Sequence, residues 1–493
     1  MSALQELAEW ASAVTLADIP AETTDLAASQ ILSQLAAIRL GLQQPQGRRL
    51  VQALGAPLQA DVANSARVLA GVGAWLNMDD TAYAGHLAPS TVAVPLAFAY
   101  AQRLSGADLL RSVVLANECA ARITAAATLG PFRGQTALHT HVVGTVAARL
   151  SCERGPASGW TNALALALSN PPWTLTRGFV TSDARLLHVP TAVRMGLDAC
   201  DSAEAGLSGA SDILEHPDGF LAQFASVSLP QAVTTRLGKR WHTDTLSFKL
   251  HPGGPGIDAA IDCAADLHRA MGTWTVDDIS EVLVEASLYT LYAANKAEAY
   301  LDGPRSPIGA MVLTTPYPVA TTLLHGDLSI DDFYPPALDD SRRWQLAAKV
   351  RLEHDPDMTR TLIRGDAPFG EAIRQAGENA KPWLLKFGGP ELVELLGEPG
   401  CPLEDFTQAT KPTPARVTVR MRDGREYTRE YTVPLGGLGP DLKSRHRELV
   451  TKKFLDAGGP PDVPEAWRKL ATIPPQDLNL LISKALAVGP NHG

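Results

Sequence analysis

Five separated polar clusters in this sequence carry side chains that can transfer a proton or contact a small substrate. In chain order they are the segment 77–86, the pair His139 and His141, Arg185 with His188, Lys249, and Tyr317. Histidine is the side chain whose unperturbed pKa lies nearest neutral pH, which makes it the first candidate for acid–base chemistry. We therefore consider His86, in a loop at a helix end, and His139, at a helix start, as candidate acids or bases.

Each cluster also has a purely structural interpretation. The acidic and hydroxyl side chains of segment 77–86 are typical helix caps and turn residues, and the pattern alone favours that role. The helix dipole favours the neutral form of a histidine in the first helical turn, which suits a base, but a capping or core histidine fits equally well. A lone lysine or arginine is usually solvated, and a lone tyrosine usually belongs to a core.

A metal site is a further possibility to weigh, because His139 and His141 lie two residues apart. That spacing can ligate a metal ion from a strand, but here the pair opens a helix, and no carboxylate or cysteine lies near it in sequence. The five cysteines are scattered, without a Cys-x-x-Cys or Cys/His run. We therefore expect neither a metal site nor a disulfide framework.

The elements that must position these clusters change in character along the chain. Helical periodicity dominates the first half, where Leu109 to Ala127 is apolar enough to be buried on all sides. Beyond about residue 249, strand patterns occur at Glu281–Ser287 and Lys349–Glu353, and Arg416–Val433 has the alternation of a hairpin. The last 50 or so residues are helical again. The sequence predicts a mainly α fold with an α/β insert, divided into a helical domain (1–248 and 436–493) and a smaller α/β domain (249–435).

Composition narrows the function class. The chain has 493 residues, a formal net charge of −10 and 45% apolar residues, so it can bury large cores and lacks the basic surplus of a nucleic-acid binder. The N-terminus has acidic residues and no basic region, so we expect no signal peptide. No apolar run approaches the roughly 20 residues that span a bilayer. We expect a soluble cytoplasmic protein that binds neither nucleic acid nor membrane.

Taken together, the order and spacing of the clusters resemble the MmgE/PrpD family, whose members include 2-methylcitrate dehydratases, cis-aconitate decarboxylases and iminodisuccinate epimerases. The likeness runs over nearly the whole chain. The segments that carry it are Asp79-Asp80-Thr81 through His86 with Pro89-Ser90, 118–122, His139 to Gly144, Leu237-Gly238 with Trp241, Lys249 with Pro252 and 257–260, 316–326, 417–424, and Lys453-Phe454.

The resemblance implies a large helical domain built from both chain ends, a smaller α/β lid and a site in the cleft between them. It also implies a homodimer that works without a metal or an organic cofactor. The family site positions that this chain matches are Asp80, Thr81, His86, His139, Lys249 and Tyr317. To these we add Asn77, His141 and Arg185 as expected substrate contacts.

The resemblance also suggests roles for these residues. His86 and His139 would act as base and acid next to a carboxylate, and Lys249 and Arg185 would hold carboxylates, the arginine through two parallel bonds. Tyr317 would donate a proton or a hydrogen bond. We expect these groups to converge in one partly enclosed pocket at the junction of the two domains.

This chain departs from the family pattern at three places. Asn77 stands where relatives carry an aspartate, Arg185 stands where many carry a lysine, and the segment after Lys249 shortens to Gly253-Gly254-Pro255-Gly256. The first hypothesis is a lyase, a dehydratase or decarboxylase, acting on a small carboxylic acid through an enolate-like intermediate. An isomerase or epimerase that uses the same acid–base pair, and a non-catalytic helical dimer, are the alternatives.

Overall fold

The structure, a computed structural model, describes residues 1–83, 85–130, 138–254 and 256–488. Two segments singled out above contain a residue outside these ranges: Ala84 in segment 77–86, and Pro255 in the glycine-rich segment after Lys249. The predicted domain boundaries at 248/249 and 435/436 stay a prediction.

The first half of the chain is almost entirely helical within the described residues. Its elements are α1 (Ala3–Ala13), α2 (Ala21–Gln43), α3 (Pro45–Leu54), α4 (Val62–Ala74), β1 (Asp80–Thr81), α5 (Ala88–Thr91), α6 (Ala93–Gln102), α7 (Gly106–Ala126), α8 (Leu138–Cys152), α9 (Ala157–Ser169), α10 (Thr176–Thr181), α11 (Ala184–Glu204), α12 (Phe220–Phe224) and α13 (Gln231–Thr234).

Helix α7 is the centre of this helical body. It begins with a capping box, in which Ser105 and Asp108 satisfy each other's backbone amides, and every residue from Leu109 to Ala126 is buried. The helix packs against α8, and α8 packs in turn against α11. The prediction of a helix buried on all sides is confirmed.

The second half mixes helices and strands. Its elements are β2 (Ser247–Phe248), α14 (Asp258–Met271), β3 (Ile279–Ala286), α15 (Leu288–Glu298), α16 (Ile308–Met311), α17 (Pro316–His325), α18 (Ser341–Ala347), β4 (Val350–His354), α19 (Pro356–Arg364), α20 (Gly370–Ala376), α21 (Lys381–Leu396), β5 (Ala415–Met421) and β6 (Glu426–Tyr431). The chain then returns to helices α22 (Pro440–Asp456), α23 (Val463–Trp467) and α24 (Pro475–Leu486).

Strands β3 to β6 form one mixed sheet in the order β4-β3-β5-β6. The pair β3–β4 is parallel, and the pairs β3–β5 and β5–β6 are antiparallel. In β3 the predicted inward residues Val282, Val284 and Ala286 are buried, and α14 covers β5 and β6. The prediction of a mainly α protein with a smaller α/β part is confirmed.

The last helices belong to the helical body rather than to the sheet. Helix α22 packs along α2, and α24 contacts α6. The guanidinium of Arg39 on α2 donates hydrogen bonds to the carbonyls of Ala457, Gly458, Ala485 and Ala487 near the end of the chain. Within the described ranges, no helix is both long enough and apolar enough to cross a membrane.

Candidate active site

A cavity of about 380 Å³ lies between the helical body and the elements α15 to α21 of the second half, which we call the insert. The body contributes four histidines to its wall, and the insert contributes aromatic side chains from α15, α21 and the residue before α20. These are His86, His139, His141 and His188 on one side, and Tyr289, Tyr292, Phe369 and Trp383 on the other. Most of the remaining wall is apolar, and the cavity is large enough to take up a small molecule.

The loop between α4 and α5 delivers the first histidine. It is a tight loop, in which Asn77 and Tyr83 have φ angles of 54° and 50°. Asparagine tolerates this left-handed conformation, but a tyrosine there stores strain that the surrounding contacts must offset. Ala82 and Gly85 exchange backbone hydrogen bonds, which folds the loop back on itself just before His86.

His86 forms a pair with Asp79. Its Nδ1 lies 2.7 Å from Asp79 Oδ2, and the carboxylate is 1% exposed whereas the His86 side chain is 31% exposed. Because the carboxylate accepts from Nδ1–H, the neutral ring carries its lone pair on Nε2. The second oxygen, Asp79 Oδ1, has no hydrogen-bond partner among the described residues. The arrangement is that of a general base held in one tautomer by a buried carboxylate.

Asp80 does not join this pair, although we expected it to contact the substrate. Adjacent residues of an extended segment point to opposite sides, so Asp80 faces the protein interior. It accepts hydrogen bonds from the amides of Leu87 (3.2 Å) and Ala88 (2.9 Å), at the start of α5, and from Gln30. Burial, and next the charge of Asp79, raise the pKa of Asp80 to about 6. Its position is that of a helix cap.

His139 lines the cavity in an apolar setting. Both ring nitrogens are buried and lack a hydrogen-bond partner among the described residues. Phe220 and Phe224 pack edge-to-face against the ring, with 5.1 and 5.8 Å between ring centroids. Desolvation lowers the pKa of His139 to about 4. The ring is therefore neutral at pH 7, and its N–H is a hydrogen-bond donor for a ligand.

His141 and His188 complete the histidine wall. His141 Nδ1 lies 3.0 Å from Ser90 Oγ, and the glycine at position 144 lets α8 approach α5 closely enough for that contact. His188 bonds through Nδ1 to the carbonyl of Arg185. Burial lowers the pKa of both histidines, that of His188 to about 3, so both rings are neutral. Within the described part of the chain, no group of three or more histidine, cysteine or acidic side chains is arranged to hold a metal ion.

Arg185 lies behind the cavity wall rather than in it. Its guanidinium is fully buried, donates to Asn77 Oδ1 at 2.7 Å and to the carbonyl of Trp75 at 3.1 Å, and stacks on Phe179 with 4.2 Å to the ring centroid. Asn77 itself lines the cavity. Arg185 therefore orients Asn77, and the direct contact expected between Arg185 and a substrate carboxylate has no support in its position outside the cavity wall.

A second, smaller cavity of about 90 Å³ adjoins the first and shares His86 and Tyr289 with it. Lys249 and Thr81 line it. Lys249 Nζ is 2.9 Å from the carboxylate of Asp258, so its charge already has a partner. Lys249, which we expected to hold a substrate carboxylate, thus lies beside the site, but its charge is balanced by Asp258 within the protein.

Tyr317 lines neither cavity, contrary to the expected convergence. It lies in the first turn of α17, and its hydroxyl donates to the carbonyl of Asp332 at 2.6 Å. The ring packs against Trp344, with 4.6 Å between centroids, and against Phe333. A lone tyrosine most often belongs to a core, and that is where the structure places it.

Asp79, His188 and Lys411 are polar cavity residues that were not among the predicted site residues. Asp79 precedes the predicted Asp80, and His188 lies three residues after the predicted Arg185, so both belong to polar clusters named from the sequence but had no role assigned to them. The third, Lys411, lies in an irregular segment before β5 and lines the small cavity. No motif surrounds it, so no sequence signal marks it.

Comparison with known proteins places this arrangement in a family. The N-terminal domain model of the MmgE/PrpD family matches residues 5–231, and the C-terminal domain model matches residues 251–375. The cis-aconitate decarboxylase-like protein oryM of Aspergillus oryzae is 24% identical over 390 residues, which are 71% of this chain and 80% of that protein. The cis-aconitate decarboxylase of Mus musculus is 24% identical over 202 residues, 40% of this chain and 39% of that enzyme. These relatives support an enzyme of the lyase or dehydratase type, and the two domain matches show that the chain belongs to the MmgE/PrpD family.

Proposed function

We propose that the protein is a lyase that removes carbon dioxide or water from a small carboxylic acid through an enolate-like intermediate. The observation that carries this proposal is the His86–Asp79 pair, which faces a partly open and mostly apolar cavity. As the family resemblance implies, the reaction would need only the protein's own side chains.

His86 would handle the proton at the carbon next to the carboxyl group. In a dehydration, Nε2 removes that proton, the C–H electron pair becomes the new double bond, and the hydroxyl group leaves as water with the proton that His86 returns to it. In a decarboxylation, the C–C bonding pair released with carbon dioxide is delocalised onto a carbonyl group that stays on the substrate, and the carbon then takes a proton from protonated His86. In both cases Asp79 stabilises the imidazolium.

The neutral histidines suit the negative charge that develops on the intermediate. The neutral ring of buried His139 keeps one N–H, and this N–H can donate a hydrogen bond to the enolate oxygen. The surrounding apolar side chains lower the local dielectric, which strengthens such a bond.

The same observations give an epimerase no second proton donor among His139, His141 and His188. A two-base epimerase needs a second group that is protonated at neutral pH on the opposite face of the substrate. Burial lowers the pKa of His139, His141 and His188, so none of these rings is a ready proton donor of that kind.

The test begins with a thermal-shift panel of mono-, di- and tricarboxylic acids, because a ligand of the folded state raises the melting temperature. Acids that bind are then incubated with the protein in D2O, and products are identified by NMR. We expect His86→Gln and His139→Gln to lose turnover, whereas His216→Gln, at an exposed histidine, retains it. Full turnover in both site variants contradicts the proposal, and deuterium incorporation without elimination favours the isomerase.

A further inference from the structure

The small cavity contains a buried cation without an acidic partner. Lys411 is 7% exposed, and its Nζ donates to Thr81 Oγ1 at 2.6 Å and to the carbonyl of Tyr83 at 2.7 Å. Both acceptors are neutral. Among the described residues, no carboxylate lies within 4.0 Å of this ammonium group. A buried charge is costly unless an opposite charge accompanies it, so this site is built to gain an anion.

The neighbouring lysine differs from Lys411 because it has an acidic partner. Lys249 in the same cavity is paired with Asp258 and leaves no net charge. Burial, and next the repulsion from Lys249, lower the pKa of Lys411 to about 7, while Asp258 and Asp80 act in the opposite direction. A carboxylate bound at Lys411 would favour the charged ammonium form, raise the pKa of the lysine again and keep it protonated.

The large cavity is lined mainly by apolar and aromatic side chains. Its wall includes Phe179, Phe224, Phe369 and Trp383, and Lys296 is the one lysine or arginine among its described lining residues. Lys296 lies over the ring of Tyr292, 4.1 Å from the centroid. A compact molecule with three carboxylates would leave charged groups against aromatic rings, at a high desolvation cost.

The two cavities share His86 and Tyr289 as lining residues, so they lie side by side. Resting on the proposed function, we infer that the substrate is a carboxylic acid whose carboxylate is held by Lys411 in the small cavity and whose alkyl or aryl body fills the large one. His86 then lies between head and body, beside the carbon next to the carboxylate. Lys411 takes the carboxylate-binding role that the sequence assigned to Lys249 and Arg185.

Binding of unreactive probes tests this inference separately from turnover. Calorimetry at pH 6.5 compares 3-phenylpropionate, its neutral amide 3-phenylpropionamide, and the tricarboxylate tricarballylate. We expect the wild type to prefer the acid over the amide by about tenfold or more, and to bind tricarballylate most weakly. Lys411→Gln should abolish the acid preference and leave amide binding unchanged. Lys296→Gln and the exposed-site control Lys452→Gln should keep the preference.

The opposite results overturn the inference. These are tightest binding of tricarballylate, an acid preference that survives Lys411→Gln, or one that is lost in Lys296→Gln. If Lys411→Gln does not fold, the wild type decides: its acid preference should fall as the pH rises from 6 to 9 and Lys411 loses its proton. The other titratable groups near Lys411 are Lys249, Asp258, Asp80 and His86, and the wild type keeps all four. An acid preference that does not change with pH contradicts the inference. Failure of the proposed function would show instead as full turnover in both His86→Gln and His139→Gln.

Discussion

Replacing Asp79 by asparagine isolates the contribution of the buried carboxylate to His86. The bond is 2.7 Å long, and Asp79 is almost fully buried, whereas a third of the His86 side chain reaches solvent. Charge-assisted hydrogen bonds contribute about 1.5–3 kcal/mol net, and the exposure of His86 screens this one toward the lower part of that range. A loss of about 2 kcal/mol of transition-state stabilisation corresponds to roughly a 30-fold fall in kcat/KM.

Initial rates with a substrate from the carboxylic acid panel measure this effect, and we expect it mainly in kcat. Asp80→Asn is the matched control, because Asp80 is the adjacent carboxylate but faces the start of α5. Its effect should appear in the unfolding temperature, with kcat/KM within about threefold of the wild type. Equal kinetic losses in the two variants, or none in Asp79→Asn, would refute the assignment of His86 as the base.

Three further substitutions probe positions around the site. Tyr317→Phe should cost about 1 kcal/mol of stability in a denaturant titration, through loss of the bond to the Asp332 carbonyl, and leave kcat unchanged; a tenfold loss of kcat would return Tyr317 to the site. Burial lowers the pKa of His139 to about 4, below its unfolded value near 6.5. As the pH falls from 6.5 to 4, the free energy of unfolding of the wild type should therefore fall by up to about 3 kcal/mol relative to that of His139→Gln. Parallel pH profiles of stability in the two proteins would contradict this. Gly144→Ala places a methyl group 2.6 Å from Ser90 Oγ and should destabilise the protein by about 1–3 kcal/mol, and an unchanged midpoint would contradict the close contact.

The architecture was predictable because its elements have strong periodicities. The alternation along Arg416–Val433, with Asp423-Gly424 between the two halves, defines the β5–β6 hairpin. The length and apolarity of α7 predict its burial. Such patterns extend over many residues, so errors at single positions do not change the interpretation.

The site was only partly predictable, because it depends on single positions in irregular segments. Asp79 and Asp80 are the same residue type side by side, and the choice between them depends on the backbone path after Asn77, which has a left-handed conformation. Lys411 reaches Thr81 across 330 positions of sequence, and no local pattern records that contact. Tyr317 shows the converse, since family likeness suggested a role where the structure shows a core contact.

The four hydrogen bonds from Arg39 to the end of the chain have a consequence for synthesis. The face of α2 that receives α22 and α24 emerges from the ribosome about 400 residues before its partners. At typical rates of 5–20 residues per second, that face waits roughly 20–80 s. The helical body can close around α2 only after the last helices have been made, so the buried face of α2 stays uncovered in the nascent chain until then.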